Sequence, residues 1–295
     1  MIIVKLIGGL GNQMFQYAFG RSLALKNNTT LKIDIQDLQN KAEKKDFTLR
    51  NFELNVFNVQ VEIASESEIQ NFMKSKTMMA KDLLTLTLPF KSNNFYLREP
   101  HHHYFPLAKK APANTYAYGY FQSEKYFNDI RSTLLKDFTP RLPLSKRSQE
   151  VADRMSKVNG VSIHVRRGDY VSNKVNLDVH GLCEADYYEK ALAIISEKVD
   201  QPKLFVFSDE PNWFKEKTKT DFPVEYVEHN VGNASYEDLY LMSLCKHHII
   251  ANSSFSWWGA WLNQNLNKIV IAPSKWMNNT PKNTKDVVPD SWIKI

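Results

Sequence analysis

The residues best suited to chemistry lie in the run His164-Val165-Arg166-Arg167-Gly168-Asp169-Tyr170. A guanidinium is a planar fork of donors that keeps its charge, so two of them beside a glycine suit a phosphate or diphosphate. The plainer alternative is a pair of surface salt bridges. It fits less well, because the arginines directly follow the apolar run Val161–Val165. An adhesion-type Arg167-Gly168-Asp169 tripeptide fits less well again, because it abuts a buried strand.

Two further polar clusters fall where apolar runs end. In Phe207-Ser208-Asp209-Glu210 the aspartate can accept from the N–H groups of a base such as guanine, or Ser208 and Asp209 can cap the next helix. In Asn252-Ser253-Ser254-Phe255-Ser256-Trp257-Trp258-Gly259-Ala260-Trp261 the serines are natural N-cap residues and the tryptophans suit core packing. A helix beginning there would offer free N–H groups and the positive end of its dipole to a phosphate.

Near the start, Gly8-Gly9-Leu10-Gly11-Asn12-Gln13 follows a short apolar run. Gly9-Leu10-Gly11 opens like a dinucleotide fingerprint, and Asp34 stands where a ribose-binding acid would. Met14 replaces the third glycine, so the fingerprint is broken. His101-His102-His103 offers metal-ligating groups, but adjacent histidines on regular backbone do not converge on one ion. No Asp-x-Asp metal–diphosphate motif occurs, and the two cysteines, Cys183 and Cys245, form no Cys-x-x-Cys pair.

These clusters require elements to position them. The chain opens as a strand (Ile2–Ile7), the glycine turn, a helix over 13–26 and a strand over Thr30–Ile35, which is a βαβ unit. The middle is less regular: Glu66–Lys76 and the Asp82 region read as helical, and Tyr116–Gln122 as a strand. Leu88–Ala113, with four prolines, reads as loop. A helix is expected over Ser145–Val158. Strands follow at Val161–Val165, Lys203–Ser208, Val224–Val227, His248–Ala251 and Lys268–Ala272. Helices alternate with them at Glu184–Glu197, Asn212–Thr218, Tyr236–Cys245 and Ser254–Gln264. Such alternation builds a parallel α/β domain, whose ligands sit at the carboxyl ends of its strands. The expectation is α/β throughout: two parallel-sheet domains, 1–155 and 156–295, with a cleft between them.

Composition narrows the class without choosing it. In 295 residues, 43% hydrophobic and 24% charged side chains support packed cores rather than disorder. The net charge of +6 suits an anionic small ligand, a nucleic acid or an acidic membrane surface. The lysines are scattered along the chain, which argues against a nucleic-acid face. The first residues read as a strand rather than a signal peptide, and no apolar run is long enough to cross a membrane. The expectation is a cytoplasmic protein, with peripheral contact at the inner membrane surface as an option.

Taken together the motifs resemble the bacterial α-1,2-fucosyltransferases. The resemblance runs from Gly8–Ala18 through His164–Tyr170 and Phe207–Asp209 to Asn252–Trp261, in the family's order. The family reads a second aspartate where Glu210 stands here. The resemblance implies a GT-B-type pair of Rossmann-like domains, the first on the acceptor side and the second binding GDP-fucose. It implies inverting transfer of fucose from GDP-β-L-fucose to O2 of a galactose-terminated glycan, with no cofactor and no metal. By that resemblance Arg166 contacts the β-phosphate and Arg167 supports it, while His164 and Asp209 hold the guanosine. Ser253, Ser254 and Phe255 cradle the diphosphate, and Gly11, Asn12 and Gln13 lie near fucose and acceptor. Asp169 is the first candidate for the general base, with bracing of the arginines as its other role. The rival readings are a fucosyltransferase of another linkage and a nicotinamide-dependent oxidoreductase on the first βαβ unit.

Overall fold

The computed structural model describes residues 1–40, 50–73, 94–168, 171, 173–278 and 284–295, with only the backbone of Asn176. The chain divides into two compact units, residues 1–141 with 285–287, and residues 142–284 with 288–295. The division falls after Arg141, earlier than the expected 155/156. The reason is the helix Lys146–Met155, which packs Val151, Ala152 and Met155 against Phe205, Phe207 and Leu241 of the second unit. Asp286 belongs with the first unit, where Lys125 and the Tyr104 N–H donate to its carboxylate.

The first unit is built on a parallel sheet of five strands: β1 (Ile2–Lys5), β2 (Leu31–Asp34), β3 (Glu62–Ile63), β4 (Phe95–Arg98) and β5 (Thr115–Tyr118), in the order β3-β2-β1-β5-β4. β1 is central, with Ile2, Ile3 and Val4 fully buried between β2 and β5. Helix α1 (Leu10–Lys26) begins at Leu10 rather than Gln13, because the N–H groups of Asn12 and Gln13 already bond the Gly9 carbonyl. Its side chains are buried almost all round, as expected of a helix inside a core rather than on a surface. β4 lies within the segment expected to be loop. Four residues between prolines carry too little alternation to read, and pairing with β5 decides their conformation. The expected helix near Asp82 and the end of the one over Glu66–Lys76 lie outside the described residues.

The second unit is a parallel sheet of six strands: β6 (Asn159–Val165), β7 (Pro202–Ser208), β8 (Val224–Val227), β9 (His247–Ile249), β10 (Val270–Ala272) and β11 (Ile293–Lys294), in the order β11-β10-β9-β6-β7-β8. Helices α2 (Lys146–Met155), α3 (Ala185–Lys198), α4 (Ser235–Leu244) and α5 (Ser254–Leu262) alternate with the strands. The two-residue strands β3 and β11 carry no signal of their own in the sequence and form only by pairing at sheet edges.

Candidate active site

β9, β6 and β7 are neighbours in the second sheet, so their carboxyl ends are adjacent. Those ends carry the three polar clusters. The β6–β7 register pairs His164 with Phe207 and Val165 with Ser208, so Arg166 and Asp209 are the next residues out on each strand. Arg166 Nη1 donates to Asp209 Oδ2 at 2.5 Å, and the Arg167 backbone N–H donates to Asp209 Oδ1 at 2.9 Å. Both oxygens of Asp209 therefore brace the arginine motif. Register alone puts the carboxylate opposite the arginines. Gly168 makes the contact possible: a Cβ there would lie 2.6 Å from Asp209 Oδ2.

Arg167 is held differently. Its guanidinium lies 4.3 Å over the Trp213 ring, with the carboxylates of Glu210 and Glu184 at 3.4 and 3.6 Å. These approaches lack hydrogen-bond geometry, and the buried Nε and Nη1 have no hydrogen-bond partner. His164 is buried, with its ring centroid 5.8 Å from that of Phe255. Burial, helped by the charge of Arg166, pushes its imidazole down to about 3. It is therefore neutral, and its Nδ1 has no hydrogen-bond partner. A buried nitrogen without a hydrogen-bond partner loses its hydration, and nearby charge or a ring restores only part of that loss unless a ligand supplies the bond.

The third strand end leads into α5. Ser253 sits at the N-cap with extended backbone (φ −135°, ψ 126°), but its hydroxyl caps no helix N–H, contrary to the expected cap. The first N–H bonded back to it is that of Trp257, at 3.0 Å to the Ser253 carbonyl. The N–H groups ahead of Trp257 have no intrahelical acceptor, which leaves the dipole end of α5 open to an anion. Trp257, Trp258 and Trp261 are buried and pack on one another, as expected. Asn252 fixes the turn, donating from Nδ2 to the carbonyls of His180 (2.9 Å) and Trp276 (3.4 Å). The Cys183 thiol, pushed up to about 12 by burial, is no nucleophile.

In the first unit the glycine loop closes on itself. Gly8 has φ +77°, a region that favours glycine, and a Cβ there would meet Asn12 Nδ2 at 2.5 Å. Gln13 is fully buried: Nε2 donates to the carbonyls of Gly8 (2.9 Å) and Asn51 (2.8 Å), and Oε1 accepts from the Glu53 N–H (3.0 Å). Gln13 is thus a brace of the loop. The carboxamide of Asn12, half-buried, accepts through Oδ1 from Gln122 Nε2 at 2.8 Å. Gly11 lies in the first turn of α1. Asp34, weighed above as a ribose-binding acid, is buried with its oxygens on the Gln36 N–H and the Tyr116 hydroxyl.

Two carboxyls escaped the sequence reading. Burial pushes Glu99, one residue past β4, up to about 7. Burial likewise pushes Asp238 in α4 up to about 7, where it accepts from Asn230 Nδ2 at 2.7 Å. Neither belongs to a motif, and only the folded surroundings perturb them. His101 and His103 stack ring on ring at 3.3 Å, and no group of three potential metal ligands occurs among the described residues. Asp169 and Tyr170 lie outside the described residues.

The sequence profile of glycosyl transferase family 11 matches residues 1–295. The chain belongs to glycosyl transferase family 11. An alpha-1,2-colitosyltransferase of Escherichia coli is 35% identical to this family 11 chain over all of it and 99% of the relative. The galactoside alpha-(1,2)-fucosyltransferase 2 of Rattus norvegicus is 28% identical over 49% of this chain and 42% of the relative. Among solved structures, a mutant of Arabidopsis thaliana FUT1 in complex with GDP superposes with a TM-score of 0.53 at 14% identity, over 91% of this chain and 69% of that one. The family 11 chain is therefore a glycosyltransferase of the fucosyltransferase group with a GT-B-type fold of two parallel-sheet α/β units. No helix among its described residues is long and apolar enough to cross a membrane.

Proposed function

We propose that the chain moves L-fucose from GDP-β-L-fucose to O2 of a terminal β-galactoside, inverting the anomeric centre to give an α-1,2 linkage. One observation carries the reading: donors without a hydrogen-bond partner gather where the adjacent strands β6 and β9 end. They are the Arg167 guanidinium and His164 Nδ1, beside Arg166 and the open N-terminus of α5. Transfer leaves negative charge on the departing GDP and positive charge on the sugar. Fixed donors aimed at the leaving diphosphate stabilise that state without reorganising as it forms. Arg166 and Arg167, with Ser253, Ser254 and Phe255 at the helix start, take the diphosphate. His164, packed against Phe255, takes the nucleoside side. Asp209 holds the arginines in place. Asp169 is the proposed general base, and Asn12 orients sugar or acceptor. The α-1,2 linkage is in keeping with both relatives, whose names specify it.

The donor sugar has a second reading, favoured by the colitosyltransferase relative. Colitose is fucose without its 3-hydroxyl. A site that hydrogen-bonds that hydroxyl rejects the deoxy sugar by about 10⁴-fold, whereas a site that ignores it discriminates weakly. The test is an acceptor screen with GDP-fucose and GDP-colitose in parallel, with product linkage read by NMR. Products lacking an α-1,2 bond, or no transfer from either donor, would overturn the proposal. We place the enzyme at the cytoplasmic membrane surface, acting on a glycan or lipid-linked glycan and requiring no metal. Turnover in excess EDTA tests the last point, and loss restored by Mn²⁺ or Mg²⁺ would refute it.

A further inference from the structure

A half-buried carboxylate in the first unit takes no part in the roles above. Glu99 follows β4, and its oxygens accept from the backbone N–H groups of Tyr120 (2.7 Å) and Phe121 (3.1 Å). Those residues form the turn after β5, and the turn is unusual. Phe121 has φ +52°, a left-handed conformation that a bulky side chain rarely adopts. It is held there by burial, with its ring stacked on Phe19 of α1 at 3.9 Å. Gly119 leaves room for the carboxylate, since a Cβ there would lie 2.4 Å from Glu99 Cβ.

The same turn holds the glycine loop. The Gly119 carbonyl accepts from Gln16 Nε2 at 3.2 Å, and Gln16 Oε1 accepts from the Ile7 N–H at 3.0 Å, just ahead of the loop. The next residue after Phe121 is Gln122, whose Nε2 donates to Asn12 Oδ1. That bond fixes the Asn12 carboxamide. With Oδ1 occupied, Nδ2 faces the Gly8 side and has no partner among the described residues.

We propose that Glu99 is a positioning residue for glycosyl transfer: through the Gly119–Gln122 turn its carboxylate sets the Asn12 carboxamide, so that Nδ2 is presented as a donor to sugar or acceptor. The inference rests on the transferase reading above. A neutral carboxyl would accept more weakly from the two N–H groups, and it would add an O–H that faces them. Burial brings that change close to neutral pH, because the group is pushed up to about 7. The titratable groups facing it are the hydroxyls of Tyr120 and Tyr126, both pushed up by burial and so uncharged. Beyond them, the rings of His102 and Tyr120 are 6.0 Å apart, and burial pushes His102 down.

The test is Glu99→Gln, which keeps the shape but turns an amide NH₂ toward one of the two N–H donors. Turnover with GDP-fucose and a β-galactoside should fall about tenfold in kcat, with KM for GDP-fucose within about twofold of the wild type. The wild-type loss of kcat below about pH 7 should vanish in the variant. In an Asn12→Ala background, Glu99→Gln should cost no more than about a further twofold, since both act on one group. Fully multiplicative losses, or an unchanged pH profile, would overturn the proposal. Hydrogen exchange at a fixed pH reads the brace without turnover. Amides of 119–122 and 8–13 should exchange faster in Glu99→Gln than in the wild type, and unchanged exchange at 8–13 overturns the coupling. A wild type that exchanges as expected but transfers no sugar would refute the transferase reading, and with it the role in transfer, while leaving the brace itself established.

Discussion

The two units treat the polar groups at their strand ends in opposite ways. In the first, Gln13, Gln16, Asp34 and Glu99 are all engaged by backbone groups or a tyrosine hydroxyl of the same unit. In the second, Arg167 and His164 keep buried nitrogens without hydrogen-bond partners. A satisfied network fixes shape, whereas unsatisfied donors store affinity for an anion. One unit is thus built to hold a loop still, and the other to be completed by a ligand. The contrast is visible in their carboxylates too: Asp209 braces side chains that face outward, and Asp34 braces only the core.

Arg166→Ala tests the second half of this contrast most severely. The fold should survive, because the Arg166 side chain lies past the end of β6 and is partly exposed. Turnover should fall by about 10²–10³-fold, as for loss of a donor on a developing anion. Circular dichroism and a GDP-fucose turnover assay check both parts. Wild-type-like turnover would break the comparison. Gly168→Ala is the subtler version. Its new Cβ would press on Asp209 Oδ2 and push the carboxylate off Arg166. A loss of about ten- to a hundredfold in kcat/KM is expected, with thermal stability little changed.

The sequence made the second unit readable and the first only partly so, for a physical reason. β6 and β7 are apolar runs long enough to show, each ending abruptly in polar residues, so strands and site are visible together. β4 has four residues at the sheet edge and pairs only with β5, so nothing local marks it. The bonds that Asp209 and Gln13 make within the protein failed to show for a related reason. Residue type says what a side chain can bond, but register and loop closure decide what stands opposite it. Glu99 was invisible altogether, because its perturbation comes from burial by residues scattered over the unit.

Gln13→Ala probes the first unit, where the comparison expects the effect on stability rather than on donor binding. The substitution leaves the Gly8 and Asn51 carbonyls and the Glu53 N–H without their partner. A buried orphan costs about 1–3 kcal/mol, and these cost less because Asn51 is exposed and Gly8 and Glu53 are half-buried. A clear drop in Tm is expected, with GDP still raising Tm in the variant as it does in the wild type. Loss of the GDP response with an unchanged Tm would reverse the assignment of roles to the two units.

The smallest expected effect is a dependence of stability on pH that belongs to the second unit. The folded His164 imidazole stays neutral down to about 3, whereas in the unfolded chain it takes a proton near 6.5. As pH falls below 6.5 the unfolded state gains a proton that the native state refuses, so stability is full above that value and is lost progressively toward 3. His248, fully buried with Nδ1 on the Ser162 hydroxyl, is pushed down in the same sense. Glu99 and Asp238, both pushed up, act with the opposite sign, since their contribution is largest at low pH. The net slope therefore mixes both units, and a variant is needed to isolate one. In His164→Gln the fall in Tm between about pH 7.5 and 5 should be smaller than in the wild type by a few degrees. Saturating GDP, by giving the imidazole a partner, should alter the wild-type slope and leave that of the variant alone. Equal slopes in all four conditions would mean that His164 is not a buried, unpartnered group that a ligand of the second unit completes.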